Sequence, residues 1–288
     1  MAWSRRILPV GLTFLGLVHI GGTSATELKP RTANAFQHYE ELTEARMRGE
    51  LANSEQFLFI DTLPQNQKVE EISRLKAGQV YIRSLSTKED GKKIEIPEGL
   101  PHHWLAIAFL PGARLEQVLQ VAQDYGHHGE LFKPDLQRTE LLCRDGEHFR
   151  VYYRLYRHSI VTVSYNTEFE ADYTQSDALH NYSFMKAARI AEVRNAGEKE
   201  EREYPVGNDH GYLWRLNFYT RYMQVDDGVY VQIEMLSLSR TVPGIIAWMV
   251  NPYLKSIPRE YLTDYLVRFR NIVADVAKEK ESVPVSKE

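Results

Sequence analysis

The sequence predicts an α+β fold: a curved antiparallel sheet wrapped around a long C-terminal helix, behind an N-terminal helical and irregular extension. Three observations carry this. Between residues 139 and 238, apolar and polar side chains alternate through six successive runs, the two-residue period of half-buried strands. Asp145-Gly146 and Asp227-Gly228 fall between neighbouring runs, and such dipeptides supply the positive φ of tight hairpins. From Pro258 onward, Leu262, Tyr265, Leu266, Phe269, Ile272, Val273 and Val276 form one apolar stripe at helical spacing.

At the start of the chain, Arg5 and Arg6 precede a mostly apolar run from Ile7 to Ile20, and small residues follow around Thr23 and Ala25. This is the build of a signal peptide cleaved near Ala25, so the expected location is periplasmic or secreted. The run is shorter than the roughly 20 apolar residues of a spanning helix. Residues 32–49 have helix-forming composition and stop at Gly49. Residues 58–61 read as a short strand or a packed edge, 69–75 as a short helix and 79–86 as a strand. Residues 104–110 form an apolar strand closed by Pro111-Gly112. Residues 114–124 follow as a helix burying Leu115, Val118, Leu119 and Ala122, with a further helical turn near 130–132. The six strands come next, then an apolar connector over 243–253 and the long helix. The organisation is a signal peptide at 1–25, an extension at 26–101, a main domain at 102–278 and a disordered tail at 279–288.

A chain of 288 residues with 43% hydrophobic composition can build one large core. Its net charge of −4 gives no basic stripe for phosphates, so nucleic acid is not an expected partner. The 17 tyrosines suit strands, and they suit cavities lined by rings with polar tips. Cys143 is the sole cysteine, which excludes an intramolecular disulfide, and its strand-like surroundings predict a small buried hydrophobe.

The order of strand, helix, helical turn, six strands and long helix resembles the START-like superfamily, also called SRPBCC or helix-grip, with its lipid-transfer domains and polyketide cyclases. The segment PGARLEQVLQVAQDYGHHGELFKPDLQRTELLCRDGEHFRVYYRL is similar to that group's opening helix and following strands, including Asp124-Tyr125 and the Pro134, Thr139, Leu142 spacing. GYLWRLNFYTRYMQVDDGVYVQIEMLSLSR resembles the last hairpin. The resemblance spans residues 102–277. It implies a helix-grip fold whose sheet and helix enclose an internal cavity.

No phosphate loop, serine-hydrolase elbow or zinc-protease helix motif occurs. Neither a cofactor nor a metal is expected. His102-His103 and His127-His128 are read as loop or surface residues, because neighbours in an extended run point to opposite sides. Arg189 shares an alternating face with Met185, Ala187, Ala191 and Val193. It reads either as an anchor for a carboxylate or phosphate head group, or as a solvated edge residue. A two-residue Asp227-Gly228 turn would pair Arg221 with Glu234. Trp214, Phe218 and Tyr222 alternate along one strand against Met235. With Arg189, Tyr165, Leu262 and Phe269 they make the candidate ligand-binding set. The expected function is non-catalytic binding or carriage of an apolar small molecule or lipid, with transient membrane contact as part of that role. The alternatives are a cyclase- or hydratase-like enzyme using the same cavity, or a cell-envelope interaction protein.

Overall fold

A computed structural model describes residues 25–158, 162–241 and 244–282. Nearly all of the proposed signal segment and the last residues of the proposed tail lie outside them. After a two-residue strand, Thr26–Glu27, come helices α1 (Pro30–Leu51) and α2 (Gln65–Lys76). Strands β1 (Tyr81–Ser84) and β2 (Gly99–Pro111) follow, then helices α3 (Leu115–Gln123) and α4 (His128–Leu131). The meander is β3 (Leu136–Asp145), β4 (His148–His158), β5 (Thr162–Gln175), β6 (His180–Arg194), β7 (Arg215–Val225) and β8 (Gly228–Arg240). Helix α5 (Gly244–Ser282) ends the described chain. The main sheet runs β1-β2-β8-β7-β6-β5-β4-β3, antiparallel throughout, with Arg202–Glu203 added to β6.

Alternation decides which side chains share a face. On β2, Ala106, Ala108 and Leu110 point to the side of α5, while Leu105, Ile107 and Phe109 point the other way. The two alanines add little bulk, and α5 lies chiefly along this strand. The buried stripe of α5 is Leu262, Leu266, Phe269 and Val273, as the helical spacing predicts. Its 0–2% exposure shows a helix pressed onto the sheet and α3, not laid on the surface.

The opposite side of the sheet is covered too. Phe36, Tyr39 and Met47 of α1 pack with Trp214, Tyr219, Leu236 and Leu238. Phe57, Leu58, Ile60 and Leu75 pack with Leu105, Ile107, Phe109 and Tyr230. Strand β8, between two strands and two layers, is therefore buried along almost its whole length. The extension is thus the second cover of the sheet, and the boundary drawn at 101/102 falls inside β2.

Several local expectations are corrected. Residues 58–61 are not a strand: Phe59–Thr62 forms a 3-10 turn, with the Asp61 carboxylate accepting from Leu58 N at 2.8 Å. Of the connector at 243–253, residues 244–253 are the first part of α5, and the helix continues past 279 to Ser282. Cys143 is exposed, because β3 is an edge strand whose pairing shifts register between Leu141 and Cys143. The last hairpin turns at Asp226-Asp227, pairing Val225 with Gly228 and Arg221 with Gln232, not with Glu234. Gly228 can sit in the strand because it has no Cβ, which would stand 2.3 Å from the Leu110 carbonyl oxygen of β2. The slip is even in number, so each side chain keeps its face.

Candidate functional site

One row of side chains crosses six strands on the face toward α5. Register places Trp104 opposite Met235, Met235 opposite Phe218, Phe218 opposite Met185, Met185 opposite Ala171 and Ala171 opposite Phe149. Ala171 and Phe149 are fully buried, but Trp104, Phe218 and Met185 are only half-buried, as are Ala187, Leu155 and Val163 on neighbouring rungs. On α5, Tyr261 and Tyr265, packed against the same core, are half-buried as well. Burial nevertheless pushes the Tyr261 phenol up to about 12 and raises that of Tyr265. These half-buried side chains are the least covered part of the core between the sheet and α5.

A satisfied polar cluster lies on the same face. The His128 Nε2 lies 3.0 Å from the Val121 carbonyl oxygen, which can only accept, so Nε2 carries the proton. Burial lowers the His128 pKa and keeps the ring neutral, and the Tyr153 hydroxyl then donates to Nδ1 at 2.8 Å. Tyr173 donates to the Ala122 carbonyl at 3.2 Å and meets the Tyr125 hydroxyl at 2.9 Å. Burial raises all three phenols, so they stay protonated. Glu192 lies opposite Tyr165 across β5 and β6. Its carboxylate accepts from His210 N at 3.1 Å and bonds to His210 Nδ1. The His210 ring stacks on Tyr212, which packs against the same core.

Six of the eight sequence candidates meet here. Tyr165, Tyr222, Met235, Leu262 and Phe269 are buried in this core, and Phe218 is half-buried against it. Two do not. Arg189 faces away, because a bulge lets Glu168 pair with Arg189 and Phe169 with Ala187, leaving Ala188 unpaired and inverting the phase. Its guanidinium bonds to Glu203. Trp214 sits in a bend before β7 and turns into the cluster beneath α1. Sequence reasoning passed over Trp104 and Tyr261. Both had signals: Trp104 lies in phase with Ala106 and Ala108, and Tyr261 precedes Tyr265 by one helical turn.

The other side of the sheet holds a buried charged network. Glu234 bonds to His103 Nε2 at 2.5 Å and to Arg46, and His103 Nδ1 meets the Tyr39 hydroxyl at 2.9 Å. Burial alone would raise the Glu234 pKa; the His103 hydrogen bond and the Arg46 charge hold it below the ordinary value. Arg221 reaches Glu50 at 2.5 Å and the Phe57 carbonyl at 2.8 Å. His103 is therefore an interior residue, and His102, in the same strand, bonds to Ser239 at 2.9 Å, so neither is a surface histidine. Of the second pair, His127 is exposed beside Asp124 and His128 is buried. Two recesses open on this side, of about 320 Å³ at Phe36, Glu40, Lys186 and Arg215, and about 190 Å³ at Thr26, Trp214 and Arg240. Among the described residues no group of histidine, cysteine and acidic side chains could hold a metal ion.

No family model and no curated protein matches the chain. Solved structures are similar to it. A STAR-related lipid transfer protein from Xanthomonas axonopodis shares 18% identity over 68% of this chain and 92% of its own, with a TM-score of 0.43. Human STARD10 shares 10% identity over 76% of this chain and 84% of its own, with a TM-score of 0.44. An aromatase/cyclase from Streptomyces shares 10% identity over 64% of this chain and 98% of its own, with a TM-score of 0.40. The similarity is one of fold, a curved antiparallel sheet with a C-terminal helix.

Proposed function

We propose that this protein binds an apolar small molecule or lipid between its sheet and α5, as an exported, non-catalytic carrier. The observation that carries the reading is the half-buried set of Trp104, Phe218, Met185 and Ala187 on the sheet and Tyr261 and Tyr265 on α5, all packed against one core. Apolar surface left accessible inside a fold is a cost that an apolar guest removes, at about 25 cal/mol per Å² covered. A carrier role fits the polar cluster: both ring nitrogens of His128 are engaged, so it has no free site for proton transfer. Export is supported by the first 25 residues of the sequence. Among the described residues no helix is long and apolar enough to cross a membrane. Delipidation followed by titration with a neutral apolar fluorophore tests the binding: wild type should bind in a saturable way, and Phe218→Arg should abolish it. Equal signals from both proteins would defeat the reading. Intact-mass analysis of exported protein tests cleavage after Ala25.

One observation favours a second reading. Glu192 and His210 form an acid–imidazole pair near the Tyr165 end of the same face, the composition that a cyclase- or hydratase-like enzyme would use for proton transfer. Turnover of a bound carbonyl compound that disappears in His210→Asn, with binding retained, would favour the enzyme over the carrier.

A further inference from the structure

The space proposed between sheet and α5 has a corner at the ends of β4 and β5. Register pairs Arg157 with Val163 and Leu155 with Tyr165. Arg157 and Tyr165 are therefore diagonal neighbours on the inner face, at about 7–8 Å, the usual spacing of such pairs. Leu155 and Val163, both half-buried, complete the four-residue patch. Tyr261 of α5 stands close enough to feel the charges of Arg157 and Asp135.

Among the described residues, both polar members of this patch hold a donor with nothing to bond. The Arg157 Nη1 donates to Asp135 Oδ1 at 3.2 Å, yet its Nε, shielded from water, has no acceptor among the described residues. The Tyr165 hydroxyl also lacks a partner, in a residue only 4% exposed. Leaving a buried donor unmade is among the more expensive features a fold can carry, and most native donors find partners. Two on adjacent rungs of one internal face point to an acceptor brought from outside.

The charges around the corner say which acceptor. Arg157 is neutralised by Asp135, and Arg268 of α5 is turned to the Lys133 carbonyl. Beyond its burial, Tyr165 feels the carboxylates of Glu192 and Asp209, and Glu192 is partnered by His210. Arg157 and Arg268 are set against Asp135, Glu192 and Asp209, so the corner has no excess of positive charge to hold an anion. We propose that Arg157 and Tyr165 together recognise a neutral oxygen acceptor, so that the enclosed molecule is an apolar one bearing a ketone or ester carbonyl, not a free carboxylate or phosphate. This rests on the enclosure proposed above.

The test displaces a bound neutral fluorophore, N-phenyl-1-naphthylamine, from the full chain with three probes of equal length: 2-undecanone, undecane and undecanoate. Wild type should bind the ketone about 10-fold tighter than the alkane, the worth of one well-made hydrogen bond, and tighter than the carboxylate. Tyr165→Phe should lose that preference through the ketone alone, with the alkane unchanged. It should also melt like wild type, since it deletes a hydroxyl that makes no bond. Arg157→Met, which keeps the aliphatic stem, should weaken the preference too. Equal binding of ketone and alkane by wild type, tightest binding of undecanoate, or an intact preference in Tyr165→Phe would each overturn the proposal while leaving the enclosure standing. Failure of the fluorophore and all three probes to bind would overturn the enclosure itself, and this corner with it.

Discussion

Replacing Glu234 should loosen the cover that α1 places over the sheet. Its side chain is 2% exposed and its Oε1 accepts from His103, itself 2% exposed, and from Arg46. In Glu234→Ala, Arg46 is 38% exposed and keeps Glu50 at 2.7 Å, so it can return to water at small cost. The penalty falls on the His103 Nε2, which loses its partner in the interior, and on the cavity left by the side chain. Removing one member of a buried charged pair costs about 3–5 kcal/mol, and the escape open to Arg46 places this case near 3. Glu234→Gln keeps shape and one weaker hydrogen bond, so about 2 kcal/mol is expected. The folded-state pKa of Glu234 lies below its ordinary value, so its contribution is present above the ordinary carboxylate range and is lost as pH falls through the lowered value. The gap between wild type and variant should therefore close in acid. Urea unfolding at neutral and acidic pH measures this, and hydrogen exchange should localise the loss to residues 30–51. A Glu234→Ala variant within 1 kcal/mol of wild type at pH 7 would refute the reasoning.

Two further outcomes follow from single contacts. Burial lowers the His102 pKa from 6.5 to about 4, so stability is fully present above pH 6.5 and falls as the pH drops toward 4. At 1.36 kcal/mol per unit the loss between pH 6.5 and 5 is at most about 2 kcal/mol, and His102→Gln should flatten that part of the urea-midpoint profile; an unchanged slope would count against it. Gly228→Ala should destabilise by about 2 kcal/mol, read as a lower Tm, because the new methyl meets Leu110 O at 2.3 Å and the Phe109 ring at 2.8 Å. A variant as stable as wild type would show that β2 can move aside.

Much of the fold was legible because alternation and helical spacing are properties of short stretches. The stripe from Leu262 to Val273 and the inner positions Phe218, Tyr222 and Met235 could be assigned without knowing their partners. What was not legible depends on a second strand or layer. The bulge at Ala188 that turns Arg189 outward is a property of the β5–β6 pairing, not of β6 alone. The turn at Asp226-Asp227 sets Gly228 against Leu110 of β2, where a Cβ would not fit. His103 and Arg221 look like surface residues until α1 is laid across them. Arg157, on the face toward α5, continues the alternation of Tyr153 and Leu155, but its neighbour Tyr165 is known only from the β4–β5 register.

The central claim is that an apolar molecule occupies the space between Trp104, Phe218 and Met185 on the sheet and Tyr261 and Tyr265 on α5. Native mass spectrometry of the protein purified without organic solvent, followed by denaturation and re-measurement, tests it most directly. The account predicts a mass above that of the polypeptide, carried by a species that extracts into organic solvent, is released on unfolding and is absent from Phe218→Arg. Polypeptide mass alone, in protein that also fails to take up any apolar probe after delipidation, would contradict it.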